Sequence, residues 1–324
     1  MLLSELNPGQ RFLLFLGKNW VVFFLLFLCV LFSFTGTGFL SPKTLNNILI
    51  TSSPALLLAA GETFVIITGG IDLSVGFVRG LISVISAIIM RDLYAAGYSP
   101  YVAILWGIVV GIGIGLLPGL VNGILVAKFR VPPFIATLGI YGVANGFALR
   151  LSQGFPITFL PPEVGEIGNG FVAYFLPGKG YSFFKRPAGM LPEDMRNLIG
   201  VVPFAFLIAL LFILIFAFIL SRTPFGQHTY AIGGNIDAAR RAGIPVDRHL
   251  IKVYMISSFF AALGGVMYTL RFVTGRADAG AARMLDSIAA VVIGGASLYG
   301  GTGNMIGSLL GTLIIGVLET GMVN

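Results

Sequence analysis

Val65-Ile66-Ile67-Thr68-Gly69-Gly70-Ile71-Asp72-Leu73-Ser74-Val75-Gly76 joins two apolar runs, residues 45–68 and 75–90. The first run has the ~20 residues that a helix needs to cross a bilayer, and the second is shorter. Gly69-Gly70 predicts a break in the helix, leaving Asp72 or Ser74 to cap the next one. At membrane depth a break exposes backbone groups that lipid cannot satisfy, so it is tolerated only against protein or a water-filled cavity. Three ionisable residues, Glu62, Asp72 and Arg79, sit in or beside the same runs, where each is costly unless paired or hydrated. The segment thus predicts a kink lining a translocation path, carried by Glu62, Gly69, Gly70, Asp72 and Ser74. A purely structural reading competes with it: Asp72 caps a helix, and Glu62 pairs with Arg79 or a neighbouring helix. Losing a cap costs only ~1 kcal/mol, so Asp72→Ala is expected to impair transport more than folding.

Composition extends this reading to the whole chain. Of 324 residues, 56% are hydrophobic and 10% are charged, against ~25% charged in soluble domains; the mean hydropathy is +0.96. Lipid is the solvent such a surface requires. The 44 glycines suit membrane helices in close contact. A net charge of +7 fits basic flanks of membrane spans more simply than nucleic-acid binding. Cys29, the one cysteine, makes no internal disulfide. Apolar runs at 18–34, 45–68, 75–90, 101–126, 134–151, 199–220, 251–272, 287–298 and 305–319 predict an all-α membrane bundle of about nine spans. The first reads as a retained span and not a cleaved signal peptide. Threading the runs with Arg11 and Lys18 inside also places Lys128, Arg130, Arg222, Arg240, Arg241, Arg248 and Lys252 inside. The positive-inside bias therefore sets the N-terminus in the cytoplasm. Residues 152–197 then form an extracytoplasmic loop, either an ordered cap or docking surface or a tolerated insertion, and residues 221–250 form a cytoplasmic one.

A weak repeat runs through the chain. The pattern of Gly69-Gly70-Ile71-Asp72-Leu73-Ser74-Val75-Gly76 returns as Gly294-Gly295-Ala296-Ser297-Leu298-Tyr299-Gly300-Gly301. Paired glycine-interrupted segments of this kind mark the pathway in many transporters, so an internal duplication with interrupted helices is one expectation. Gly107, Gly111, Gly115, Gly119 and Gly123 strip one helix face of side chains, and Gly303, Gly307 and Gly311 form a second stripe. Both predict tight helix–helix contact and no chemistry.

Between two spans, Arg130-Val131-Pro132-Pro133-Phe134-Ile135-Ala136-Thr137-Leu138-Gly139 reads as a stiff hinge, or as a gate lining with Pro133, Phe134 and Thr137 on the path. In the 221–250 loop, Gly233-Gly234-Asn235 predicts a turn. Asp237, Ala238, Ala239 and Arg240 follow in a short helix that Gly243 ends. Such a helix, with Ala238, Ala239 and Ala242 as a close-packing surface, suits a partner's groove; a solvated connector is the alternative. The sequence has no GxxxxGK[ST] phosphate loop, no metal-ligand spacing around His228 and His249, and no nucleophile–base arrangement. It therefore predicts a transport subunit that is not an enzyme and binds no cofactor, metal or nucleic acid.

Val65–Gly76 as quoted is similar to the signature of the ribose/xylose/arabinose-type ABC transporter permeases. Gly119-Leu120-Val121-Asn122-Gly123, residues 131–139, residues 230–244 and residues 286–298 resemble further motifs of that family, in the same order. The resemblance covers most of residues 45–321. It implies a single permease domain over 1–324 with about ten spans in the family, and places Asn122 on the pathway. It further implies a second permease copy, a cytoplasmic ABC ATPase coupled through 221–250, and an extracytoplasmic sugar-binding protein, all at a bacterial inner membrane. Its function would be import of a monosaccharide or related polyol. Arg79 departs from the family pattern, where a small or apolar residue is expected. An ion-coupled secondary transporter using Glu62, Asp72 and Arg79, or a passive channel, is the alternative.

Overall fold

A computed structural model describes residues 14–17, 19–36, 38–178, 180–187, 194 and 197–323; Arg11 and Lys18 of the orientation argument lie outside them. Twelve helices and three strands are described: α1 (Trp20–Thr35), α2 (Pro42–Ile67), α3 (Val75–Ala95), α4 (Pro100–Ala127), α5 (Pro133–Ser152), α6 (Glu163–Gly168), β1 (Phe171–Leu176), β2 (Gly180–Phe183), β3 (Ile199–Pro203), α7 (Phe204–Arg222), α8 (Pro224–Gly234), α9 (Ile236–Arg241), α10 (Val246–Phe272), α11 (Arg283–Ile293) and α12 (Met305–Gly321). Five of them, α2, α4, α5, α7 and α10, are long and apolar enough to cross a membrane, while α1 and α12 are apolar but shorter. The chain is a polytopic helical membrane protein.

Several starts follow from local chemistry. Ser41 and Ser99 accept the Thr44 and Val102 backbone N–H groups ahead of Pro42 and Pro100, where proline's missing donor costs nothing. The helices α2 and α10 are central, buried along most of their length, whereas α4, α5 and α7 turn most of their apolar surface outward. The first glycine stripe explains why α4 lies so close to its neighbours. A Cβ on Gly115 would stand 2.3 Å from the Ala262 side chain, and one on Gly119 would stand 2.3 Å from the Tyr254 carbonyl. In the second stripe, Cβ atoms on Gly307 and Gly311 would meet the Gly294 and Ala290 carbonyls of α11 at 2.0 Å. Both stripes therefore mark close approach between packed elements, in places backbone to backbone.

Other expectations change. The bundle is not all-α: an antiparallel sheet in the order β2-β1-β3 stands in the 152–203 region, with Ala173 opposite Phe183 on one side and Val201 on the other. Aromatic and β-branched residues in 171–176 and 199–203 favour a pleated, half-buried surface over a helix. Consequently 199–203 begins as strand, and the helix expected from 199 starts at Phe204. Of the run 287–298 only 287–293 is helical, in the 11-residue α11, about 16 Å long and too short to cross the ~30 Å core. Residues 221–250 are largely helical. Gly233-Gly234 closes α8 and is not a turn; the chain bends at Asn235, whose side chain caps α9 by accepting from Ala238 N at 2.9 Å.

Candidate functional site at the helix break

Helix α2 ends as its glycines require. Gly69 takes a left-handed φ of 80°, Gly70 N donates to Val65 O at 3.0 Å, and Gly69 N donates to Ile66 O at 2.9 Å. This is a Schellman end, in which the last carbonyls find donors without the helix continuing. Helix α11 ends the same way: Gly295 has φ 94°, Ala296 N donates to Val291 O at 3.1 Å, and Gly295 N donates to Val292 O at 2.9 Å. The two halves of the weak repeat therefore share a helix stop, offset by one residue from the sequence match, since Gly69 does what Gly295 does.

Beyond the stop, Asp72 organises the break. Its Oδ1 accepts from Ser74 N at 2.9 Å and from the Ser74 hydroxyl at 2.5 Å, and its Oδ2 accepts from the Ser257 hydroxyl at 2.8 Å. Of the two cap candidates, Asp72 supplies the side-chain bond and Ser74 does not. Asn122 of α4 donates to Ser74 Oγ at 3.0 Å, Thr137 of α5 donates to Ile71 O at 3.2 Å, and Asp72 N donates to Glu62 Oε2 at 3.4 Å. All these side chains are fully buried, and Glu62 Oε1 and Asn122 Oδ1 have no partner among the described residues. One polar knot thus ties four long helices to the interruption. Tyr254 of α10 completes it, because a Cβ on Gly70 would lie 2.6 Å from the Tyr254 hydroxyl. Sequence reasoning passed over Ser257 and Tyr254; the only signal was a Ser257-Ser258 pair within an apolar run.

The Glu62–Arg79 pair does not form. Arg79 is buried, donates through Nε to Gly264 O at 3.3 Å, lies 5.5 Å from the Tyr268 ring centroid, and leaves Nη1 without a partner among the described residues. Geometry separates the two charges: Glu62 serves the break, while Arg79 reaches across to α10.

Below the knot lies a cavity of about 350 Å³, lined by Gly69, Gly70, Arg130, Pro133, Arg240 and Tyr254, among others. It joins three of the segments singled out by sequence: the break, the 130–139 hinge and α9. Arg130 turns there with φ 54°, a left-handed geometry uncommon outside glycine. Pro133 lines the cavity, but Phe134 is 53% exposed on the protomer surface and Thr137 sits above in the knot.

The 221–250 segment touches the break directly. Gly301 N donates to Ile67 O at 2.8 Å, and Tyr230 of α8 donates its hydroxyl proton to Gly303 O at 2.7 Å. A Cβ on Gly233 would stand 1.7 Å from Ile67 O and 2.5 Å from Gly301 N. The end of α8 is thus wedged between the end of α2 and the Gly300-Gly301 segment that follows α11. Helix α8 is also held on α10 by Thr229 Oγ1 and His249 Nε2, 2.9 Å apart. In α9, Asp237, Ala238, Arg240 and Ala242 are exposed, but Ala239 is not part of an outer surface. It packs inside with Ala127, Ile232, Val246 and Leu250, because one side of a one-turn helix must cover the core beneath it.

Asp72→Ala would strand three buried donors at ~1–3 kcal/mol each, so the cap alone undercounts its cost. The alanine variant is expected to lose both uptake and stability, its thermal midpoint falling by roughly 5–10 °C. Asp72→Asn, which keeps the shape, is expected to hold the midpoint near wild type while uptake falls about tenfold. Uptake by Asp72→Asn at the wild-type rate would remove the charge from the path.

A broken-helix bundle with a buried polar knot at the interruption defines a membrane transport protein. Residues 44–324 match the family described as branched-chain amino acid transport system / permease component, and the chain belongs to it. Among curated proteins it is 37% identical to the ribose import permease RbsC of Bacillus subtilis (92% of this chain, 82% of that one). It is 31% identical to the xylose transport system permease XylH of Haemophilus influenzae (89% and 84%). It is 32% identical to the galactose/methyl galactoside import permease MglC of Escherichia coli (99% and 90%). No solved structure matches the chain. The chain is accordingly a transport permease subunit and not an enzyme, with ATP hydrolysis on a separate subunit. The relatives leave the ion-coupled carrier and the passive channel without support.

Proposed function

We propose that this chain is the permease subunit of an ATP-binding-cassette importer that translocates a monosaccharide or related polyol across a bacterial inner membrane. The names of its relatives, permeases for ribose, xylose and galactose, support the substrate class. In this reading the N-terminus is cytoplasmic, residues 152–197 face outward, and residues 221–250 meet the ATPase. An extracytoplasmic binding protein delivers the sugar to a pair of permeases, either two copies of this chain or this chain and a relative. The pathway runs by Glu62, Gly69, Gly70, Asp72, Ser74, Asn122, Pro133 and Thr137, with Tyr254 and Ser257 added.

The observation that carries the mechanism is the wedge of Gly233 against Ile67 and Gly301. Movement of α8 and α9 under a docked ATPase would press on the end of α2 and on Gly301, since the contacts are backbone to backbone. The ATPase contact then falls on Asp237, Ala238 and Arg240, with Gly234, Asn235 and Gly243 shaping the exposed turn and Ala239 holding the helix down from inside. Ala238→Trp is expected to leave membrane insertion normal while ATPase association and uptake fall about tenfold. Pull-down and uptake on the same membranes check this, and wild-type values for both would remove α9 from the contact. Ala239→Trp is expected to impair folding itself, because Ala239 is 3% exposed.

A further inference from the structure

The cavity of about 350 Å³ below the knot falls within the ~300–1,000 Å³ of small-molecule sites, and its walls differ in charge. The proline hinge and α9 supply two guanidiniums, Arg130 and Arg240. Arg130 holds its left-handed turn with no hydrogen bond or ion pair to any described residue. Arg240 commits Nη2 to Asp247 at 3.3 Å, and Asp247 is not part of the lining; among the described lining residues there is no carboxylate. The break and α10 supply a neutral polar wall, formed by Thr68, Gly69, Gly70 and Tyr254. The carbonyls of Thr68, Gly69 and Gly70 accept no hydrogen bond among the described residues. Tyr254 is 1% exposed, yet its hydroxyl has no hydrogen-bond partner among the described residues, whereas buried hydroxyls are ordinarily paired. Behind this wall the knot holds Glu62 and Asp72, which would keep the negative end of a ligand on the arginine side.

We propose that this cavity binds the phosphate ester of a small polyol, and that the bound ester holds the break still. The phosphate lies against Arg130 and Arg240, whose planar forks match its oxygens. The polyol hydroxyls donate to the carbonyls at the break, and the Tyr254 hydroxyl donates to the ligand. One molecule then ties the hinge, α9 and the end of α2 together, which are the parts that transport must move. Phosphorylation of an imported sugar yields this class of compound on the cytoplasmic side, where the proposed orientation places the cavity. The braking role rests on the importer reading, whereas the binding does not depend on an ATPase or a binding protein.

The test is calorimetric titration of the purified full chain in phosphatidylcholine nanodiscs with D-ribose 5-phosphate, D-ribose and inorganic phosphate in turn. Ribose 5-phosphate should bind with a Kd on the order of 0.1 mM, and ribose and phosphate each about tenfold more weakly. Arg130→Gln should weaken the ester about tenfold and Tyr254→Phe about threefold. Lys128→Gln, the same charge change outside the lining, should leave it unchanged. Discs containing phosphatidylglycerol identify the source: unchanged affinity assigns the site to a soluble ester, and an Arg130-dependent loss assigns it to the lipid headgroup. No saturable binding, equal binding by Arg130→Gln, or ribose binding as tightly as its phosphate would each overturn the site. In the assembled transporter, ribose 5-phosphate loaded inside the vesicles should slow ATP-driven uptake about fivefold, and Arg130→Gln should remove that difference between loaded and empty vesicles. Uptake indifferent to the loaded ester would overturn the brake. Absence of ATP-driven uptake in empty vesicles strikes the importer reading and leaves the titration to decide the site.

Discussion

Gly233→Ala is expected to abolish uptake. The added carbon would stand 1.7 Å from Ile67 O and 2.5 Å from Gly301 N, and neither atom belongs to a side chain that can rotate away. Forcing one methyl group into a packed contact costs ~1–3 kcal/mol when neighbours can adjust. Here the adjustment must separate α8 from the end of α2, where the break begins, and from Gly301. The neighbouring Gly234 has open space at its Cβ position, so Gly234→Ala is expected to transport like wild type. Paired uptake measurements at equal membrane levels decide it. Full activity in Gly233→Ala would show that α8 does not bear on the break and would remove the mechanical link.

Gly115→Leu carries the largest expected effect on folding. Its Cβ would lie 2.3 Å from the Ala262 side chain, and three further carbons would have to enter the contact between α4 and α10. These two helices hold Asn122 on one side and Ser257 on the other of the polar knot. Separating them unpacks the core and opens the site together. Gly113, two residues away and facing open space, gives the control: Gly113→Leu should purify as a monodisperse species with a wild-type thermal midpoint. Gly115→Leu should yield little or none. A monodisperse Gly115→Leu protein with the wild-type midpoint would contradict the backbone-close packing.

Much of this was legible in the sequence because membrane helices leave few options. The apolar runs, the glycine stripes and the Gly69-Gly70 stop are local or periodic signals, and each maps onto a helix, a contact or a Schellman end. Glu62, Asp72 and Ser74 could be marked at the break, Thr137 in the proline hinge and Asn122 through the family resemblance, and they meet at one place. What sequence could not give was which acceptor met which donor. Arg79 lies only seven residues beyond Asp72, yet it reaches α10 and not Glu62. Ser257 and Tyr254 come from a helix 185 residues along the chain, and nothing local announces their partner. The exposure of Ala239 was misread for a similar reason: a one-turn helix has no periodicity long enough to tell its inner face from its outer one. The sheet at 171–203 was hidden by hydropathy, since 199–203 is as apolar as the helix it precedes.

The central claim is that this chain forms an ATP-powered path for sugar, with the broken helix as its moving part. The most direct measurement is uptake of labelled ribose, xylose and galactose into proteoliposomes holding the chain together with the proposed ATPase and binding-protein partners. ATP inside, ATP omitted, and imposed proton or sodium gradients without ATP form the three arms. Accumulation of at least one sugar with ATP alone, lost in Gly233→Ala and kept in Gly234→Ala, is the expected result. Accumulation driven by an ion gradient in the absence of ATP, or ATP-driven uptake indifferent to Gly233→Ala, would contradict it.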